Sequence, residues 1–316
     1  MGEFELITRY FQRPPQRAEL AIGDDCALLR VDAGQRLAVS SDMLVEGRHF
    51  LSTVAPDRLG HKALAVNLSD LAACGAEPLA CTLALALPRA DEAFVAPFAR
   101  GLFALADAHG IELVGGDTTA GPLTLCVTVM GQVPIAQALL RSGARAGDEL
   151  WVSGRLGDAR LALEVFRGSC TLGADDFEAV RRAMECPEPR VALGLALRGL
   201  ASSAIDVSDG LLGDLGHVLQ ASRVGARIEL AALPRSPVLA AQAPALQHEC
   251  LLRGGDDYEL LFTAPAARHA DVQGAAAAAG VAATAIGHIV AAPGLVLVDE
   301  QGREQPALAR GFDHFA

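Results

Sequence analysis

Aspartate recurs along this chain in one kind of setting, next to a small residue at the border of an apolar run. The instances are Gly23-Asp24-Asp25, Ser40-Ser41-Asp42, Asn67-Leu68-Ser69-Asp70, Gly115-Gly116-Asp117, Asp206-Val207-Ser208-Asp209-Gly210 and Gly254-Gly255-Asp256-Asp257. Singly, each has an ordinary explanation, because Asp before a helix is commonly an N-cap and Gly-Asp commonly a turn. Together they suggest a shared purpose. In α/β domains the carboxyl ends of strands meet at one edge, where ligands bind. Asp42, Asp117 and Asp209 are each expected to follow a strand and so to reach such an edge. Carboxylates gathered at close range raise one another's pKa unless a cation relieves the repulsion. All-oxygen ligands select Mg²⁺, Mn²⁺ or Ca²⁺ over zinc. Mg²⁺ takes few carboxylates and fills its octahedron with water and phosphate, so this many aspartates implies several ions. Phosphoryl transfer is the reaction that most needs such an array, since its transition state is stabilised mainly by positioning and charge.

The familiar nucleotide signatures are missing. The single lysine sits in Gly60-His61-Lys62, so no G-x-x-x-x-G-K-[ST] loop exists. No H-R-D loop or V-A-I-K strand marks a protein kinase, and neither H-E-x-x-H nor G-x-S-x-G occurs. Phosphates must therefore be held by metal ions, arginines and backbone N–H groups.

The elements that carry these residues alternate between strand and helix, an α/β pattern. Leu37–Val39 is a short strand running into Ser40-Ser41-Asp42, and Leu64, Leu68 and Leu71 predict a helix over 57–74. Asp91 should cap a helix that Gly110 closes. Ile111–Val114 then forms a strand ending in Gly115-Gly116-Asp117, and Leu123–Val133 alternates like a longer one. The polar stretch 141–148 separates two apolar blocks, so the first domain is set at 1–137 and the second at 138–316. The second restarts with strand Glu149–Val152, the Gly154–Asp158 turn and a helix; Ala204–Val207 feeds a helix from Gly210. Tyr258–Thr263, Ala283–Val290 and Leu295–Val298 are further strands. Asp24, Asp158 and Asp257 are assigned to turns and caps.

Composition bounds the rest. With 26 Lys+Arg against 38 Asp+Glu, the formal charge of −12 argues against a nucleic-acid partner, which calls for a basic face, and against docking on anionic lipid. No apolar run approaches the ~20 residues of a membrane span. Aromatics are only 4%, so the core must be built from Ala, Leu and Val. Of the basic residues all but Lys62 are arginine, so a cation reading phosphate will be an arginine. The cysteines are odd in number (seven) and scattered without a C-x-x-C, and the N-terminus carries acids rather than the positive start of a signal peptide. Both fit a reducing cytoplasm.

These motifs, with Ser41–Phe50, Gly115-Gly116-Asp117-Thr118-Thr119, Ile205–Leu211, Gly254–Leu260 and Gly311-Phe312-Asp313-His314-Phe315, run in an order that resembles the thiamine-monophosphate kinase family across nearly the whole chain. The resemblance implies an α/β (α+β) two-domain fold like that of aminoimidazole ribonucleotide synthetase, with a mixed N-terminal sheet plus helices and a C-terminal α/β domain. It implies a homodimer whose N-terminal halves pair across a β-barrel-like interface, and ATP-dependent conversion of thiamine monophosphate to thiamine diphosphate. By position it makes Asp25, Ser40, Ser41, Asp42, Asp70, Asp117, Asp206 and Asp209 ligands of several Mg²⁺ ions. Gly116, Asp117, Arg141 and Ser208 become ATP contacts, and His49, Asp256 and Phe312 thiamine-monophosphate contacts. The chain departs from the family pattern at Ser41, where Thr is usual, at Ala120, where Arg is common, and at Arg100, where some members carry an aromatic near the adenine. The adenine contact stays unassigned.

A phosphate monoester is already anionic at neutral pH, since its second pKa is about 6. Such an acceptor needs no general base, so direct in-line attack on the γ-phosphate is expected. The rivals are carbonyl-oxygen activation on the same fold, metal-dependent phosphate hydrolysis, and a nucleotide sensor without turnover.

Overall fold

The computed structural model describes residues 2–307, which divide into two compact units. One takes the chain up to Leu71 together with Ala76–Ala136; the other takes Ala72–Gly75 and the chain from Gln137 onward.

The first unit contains helix α1 (Glu3–Tyr10), strand β1 (Gln35–Val45), α2 (Pro56–Ala73), β2 (Glu77–Leu87), α3 (Glu92–His109), β3 (Glu112–Ala120) and β4 (Thr124–Pro134). As its periodicity predicts, α2 buries Leu64, Leu68 and Leu71. Asp91 caps α3 by accepting the Ala93 N–H at 3.0 Å, and Gly110 closes it in the left-handed conformation. The four strands form a mixed sheet in the order β1-β4-β2-β3, with β2 and β3 parallel and the other pairs antiparallel.

Asp42 and Asp117 lie within strands rather than after them. Asp42 pairs with Val127 and β1 continues to Val45; Asp117 pairs with Ala84 and β3 continues through Thr118 and Thr119. β-branched threonines favour extended backbone, and an edge strand keeps pairing while its partner does. The polar residues therefore interrupt the apolar run without ending the strand.

The second unit contains β5 (Asp148–Ser153), α4 (Asp158–Phe166), α5 (Ala174–Glu185), α6 (Val191–Ala196), β6 (Ser203–Asp206), α7 (Leu211–Ser222), β7 (Gly225–Glu229), α8 (Pro237–Ala240), α9 (Pro244–Arg253), β8 (Leu260–Pro265), α10 (His269–Ala278), β9 (Ala283–Val290), β10 (Gly294–Val298) and β11 (Glu304–Ala307). Its sheet runs β11-β10-β7-β9-β5-β8-β6, antiparallel except for β7 beside β10. Trp151 of β5 stacks on Phe262 of β8, and Leu, Val and Ile from both faces fill the core. The edge strand β6 ends at Asp206, and Asp209 sits in the turn before α7.

Candidate active site

In the first unit, strand alternation sorts the Ser40-Ser41-Asp42 triplet between two faces. Ser40 and Asp42 share the face that α2 covers. The Ser40 hydroxyl donates to Asp70 Oδ2 at 2.5 Å, and the Asp42 N–H donates to Asn67 Oδ1 at 2.9 Å. Asn67 is fully buried and is itself held by donating to the Ala63 carbonyl at 3.0 Å. Ser40, Asp42 and Asp70 are thus brought together as an all-oxygen group.

Ser41 stands on the opposite face. Its hydroxyl donates to the Val127 carbonyl at 3.2 Å and lies 2.9 Å from Thr128 Oγ1. The Ser41 hydroxyl therefore does not share the face of Ser40 and Asp42.

Asp42 and Asp117 are also separated. They occupy β1 and β3, the two edges of the sheet, so three strand spacings, about 14 Å, lie between them. Asp117 instead shares a cavity of about 560 Å³ with Asp25, lined also by Gly115, Gly116 and the apolar side of α1 through Phe4 and Ile7. Gly116 has φ +146°, and a Cβ there would lie 1.9 Å from the Leu83 carbonyl oxygen, so no other residue fits. Arg100 is exposed on α3.

His49 lies in the turn after β1. Its Nδ1 accepts the Val45 N–H at 2.9 Å, and Gly47 closes the turn by donating to the Phe50 carbonyl at 2.8 Å. The neutral ring therefore carries its proton on Nε2.

In the second unit, two loops carry the predicted residues, and their backbones are laced together. The Asp256 N–H donates to the Ser208 carbonyl at 2.9 Å, the Tyr258 N–H to the Val207 carbonyl at 2.8 Å, and the Val207 N–H to the Glu259 carbonyl at 2.8 Å. Asp256 adopts φ +68°, and Tyr258 donates its hydroxyl to Asp256 Oδ1 at 3.2 Å. Gly255 permits the approach, since a Cβ there would lie 2.4 Å from the Ser208 carbonyl. Asp206, at the end of β6, and Ser208, Asp209 and Asp256, on the two loops, are therefore neighbours. Arg141 is exposed, and its carbonyl accepts from the Ser222 hydroxyl at 3.3 Å. Phe312 lies outside the described residues.

Residues not singled out from the sequence hold these loops. Asp214, on the first turn of α7 and almost fully buried, accepts with one oxygen from the N–H groups of Ser208, Asp209 and Gly210 at 3.0, 3.0 and 3.1 Å. Burial and then the neighbouring Asp209 push its carboxyl up to about 7, against the pull of the N–H groups. An acidic residue in a first helical turn is so ordinary that nothing in the sequence distinguished it. Glu259 is buried and bound by Arg190, with Nε at 2.7 Å and Nη2 at 2.6 Å, and by the Ser153 hydroxyl at 2.5 Å. Both oxygens of Asp257 accept the Gly157 N–H before α4, at 2.9 and 3.1 Å, and burial pushes its carboxyl well above the usual range. Asp158 accepts from the Ser236 hydroxyl at 2.6 Å. Rather than closing turns or caps of their own, Asp257 thus reaches across the fold to Gly157 ahead of α4, and Asp158, the first residue of α4, meets Ser236 ahead of α8.

Among the described residues no group of three or more His, Cys, Asp or Glu side chains is placed to hold one metal ion. Within the first unit Ser40, Asp42 and Asp70 come together and Asp25 and Asp117 line one cavity; within the second, Asp206, Asp209 and Asp256 lie close to one another.

Residues 23–133 match the N-terminal domain of the AIR synthase related proteins, and residues 145–300 match the C-terminal domain. The chain is 46% identical to the thiamine-monophosphate kinase of Escherichia coli K12 over 321 residues, covering 100% of this chain and 98% of that one. It is similar to the crystal structure of thiamine-monophosphate kinase from Stenotrophomonas maltophilia K279a, with TM-score 0.85 and 45% identity over 93% of this chain and 94% of that one. It is also similar to AaThiL complexed with AMPPCP and TMP, with TM-score 0.78 and 30% identity over 93% and 92% of the two chains.

Proposed function

The chain belongs to the thiamine-monophosphate kinases, which share the AIR synthase related fold, and from that membership we propose that it transfers the γ-phosphate of ATP to thiamine monophosphate, forming thiamine diphosphate as the last step of its biosynthesis. AaThiL, bound to an ATP analogue and TMP, supports both substrates. The observation that carries the reading is the Ser40–Asp70 contact beside the Asn67-held Asp42. It places hydroxyl and carboxylate oxygens side by side on a strand and a helix.

Hydroxyl and carboxylate oxygens suit a hard dication, and Ser40, Asp42 and Asp70 would hold Mg²⁺, with Asp25 and Asp117, and Asp206 and Asp209, serving further ions. Bound there, Mg²⁺ would neutralise the clustered phosphate charge. The protein's own groups orient the reactants. Gly116 offers close backbone approach, Arg141 a guanidinium and Ser208 a hydroxyl to ATP. His49 donates from Nε2, and Asp256 accepts, on the thiamine-monophosphate side; Phe312 joins them on resemblance alone. The acceptor oxygen is anionic at neutral pH, so attack proceeds in line without proton removal.

A homodimer follows from the same reading. Leu37, Val39 and Met43 expose one face of β1 to solvent, an apolar patch that suits burial against a second copy. The free edges β1 and β3 run in the same direction, so a twofold axis along the strands would set β3 of one protomer beside β1 of its partner. That arrangement would carry Asp117 toward the partner's Asp42. Among the described residues no helix is long and apolar enough to cross a membrane, and we assign the enzyme to the cytoplasm, where its substrates are.

The test is an assay with ATP, Mg²⁺ and thiamine monophosphate, with the product identified by mass as thiamine diphosphate. Release of phosphate from ATP without dependence on thiamine monophosphate would sink the kinase reading in favour of hydrolysis. Asp256→Ala should weaken thiamine-monophosphate binding about tenfold, the size expected from losing a hydrogen bond to a charged group, with ATP affinity little changed. An equal loss of both would make Asp256 structural.

A further inference from the structure

We propose that Lys62 is a positioning residue for thiamine monophosphate, its buried ammonium fixing the turn that presents His49. The inference rests on the assignment of His49 to that substrate. Lys62 is the chain's single lysine beside 25 arginines, and it is 2% exposed near the start of α2. An ammonium taken out of water is costly unless it is paired and hydrogen-bonded. Here Lys62 Nζ donates to the His49 carbonyl oxygen at 3.2 Å. The same turn is pinned from the other side by the Val45 N–H to His49 Nδ1 bond, and from below by Phe50, which is 7% exposed.

Between these anchors, Glu46, Gly47 and Arg48 are exposed. Fixing the His49 carbonyl fixes the backbone from which the imidazole departs, and the Val45 bond then sets the ring's tautomer. A compact ammonium reaches the His49 carbonyl from within a packed helix face, where the larger planar fork of arginine needs more room. This gives a physical reason for lysine at 62 in a chain that otherwise uses arginine. Lys62 also completes a division of labour along α2, which holds Ser40 through Asp70, the Asp42 backbone through Asn67 and the His49 turn through Lys62.

The experiment compares Lys62→Met, Lys62→Arg, His49→Ala and the Lys62→Met/His49→Ala double variant, measuring KM for each substrate, kcat and the ¹⁵N shifts of His49. We expect Lys62→Met to raise KM for thiamine monophosphate about tenfold with KM for ATP within about twofold, the loss expected of one charge-assisted hydrogen bond. Lys62→Arg should recover only part of it. The double variant should be no worse than His49→Ala alone, and the His49 shifts should leave the pattern of a ring protonated at Nε2. Equal changes in both KM values, or independent effects in the double variant, overturn the proposal. So does an unchanged KM in His49→Ala, which removes the residue through which Lys62 acts. Wild-type protein that forms no thiamine diphosphate is the separate failure of the kinase reading. Where Lys62→Met does not fold, Lys62→Gln takes its place, and failure of both to fold assigns Lys62 to stability alone and overturns the proposal.

Discussion

In the first unit the acidic residues are placed by regular secondary structure: β1 turns Ser40 and Asp42 to one face, and α2 meets them with Asp70 and Asn67. In the second unit they ride on two loops whose shape is set by backbone pairing, a positive φ at Asp256 and the single oxygen of Asp214 that gathers successive N–H groups. A strand and a helix hold side chains rigidly because each backbone bond supports its neighbours. Loops lack that redundancy, so one buried carboxylate carries the geometry. The first unit's group should therefore tolerate loss of supporting residues better than the second unit's, while loss of an acidic residue itself should be severe in both.

The largest effect is expected in the first unit. Asp42→Ala should lower kcat about 1000-fold, the several kcal/mol that a metal-held charge contributes to phosphoryl transfer, with an unchanged circular dichroism spectrum. Retained rate at saturating Mg²⁺ would remove Asp42 from the ligand set.

Next comes the loop support. Asp214→Ala strands three buried or half-buried N–H groups and should destabilise the protein by about 2–3 kcal/mol in denaturant titration. Activity should fall in parallel, and Asp214→Asn should restore part of both because its amide oxygen still accepts. If Asp214→Ala melts like the wild type, the loops do not depend on it and the contrast between the two units fails.

A smaller effect is expected from pH. Burial raises the Asp257 carboxyl well above its usual value in the folded state, so folding favours its protonated form. The sign follows: as pH rises above the ordinary carboxylate range, the unfolded chain releases this proton first, and stability is lost by ~1.4 kcal/mol per unit of upward shift. Asp257→Asn should flatten that dependence, so its melting temperature relative to wild type should climb between acid and neutral pH. Parallel pH profiles for the two proteins would show that the carboxyl stays ionised on folding.

The smallest effect separates the two faces of β1. Ser41→Ala should change kcat less than about threefold, since an exposed hydroxyl bond contributes only ~0.5 kcal/mol. Ser40→Ala, which loses the contact to Asp70, should exceed it clearly. A Ser41→Ala loss as large as that of Ser40→Ala would place its hydroxyl among the ligands.

Much of this was legible in residue order. The helix over α2 followed from Leu64, Leu68 and Leu71, the cap of α3 from Asp91, and the acidic motifs from their flanking small residues. Support was harder to see. Asp214 looks like any acid in a first helical turn, Asn67 like any polar residue on a helix, and Arg190 stands 69 residues from the Glu259 it binds.

The sequence by itself determined residue types, local periodicity and membership in a phosphate-handling family, because these depend on neighbours along the chain. Tertiary structure decided which aspartates meet. Asp42 and Asp117 carry the same local signature, yet the order β1-β4-β2-β3 puts them on opposite edges of one sheet. Ser40 and Ser41 are adjacent and chemically identical, yet alternation sends one to α2 and the other to Thr128. Strand order and facing arise from long-range pairing, which no stretch of sequence contains.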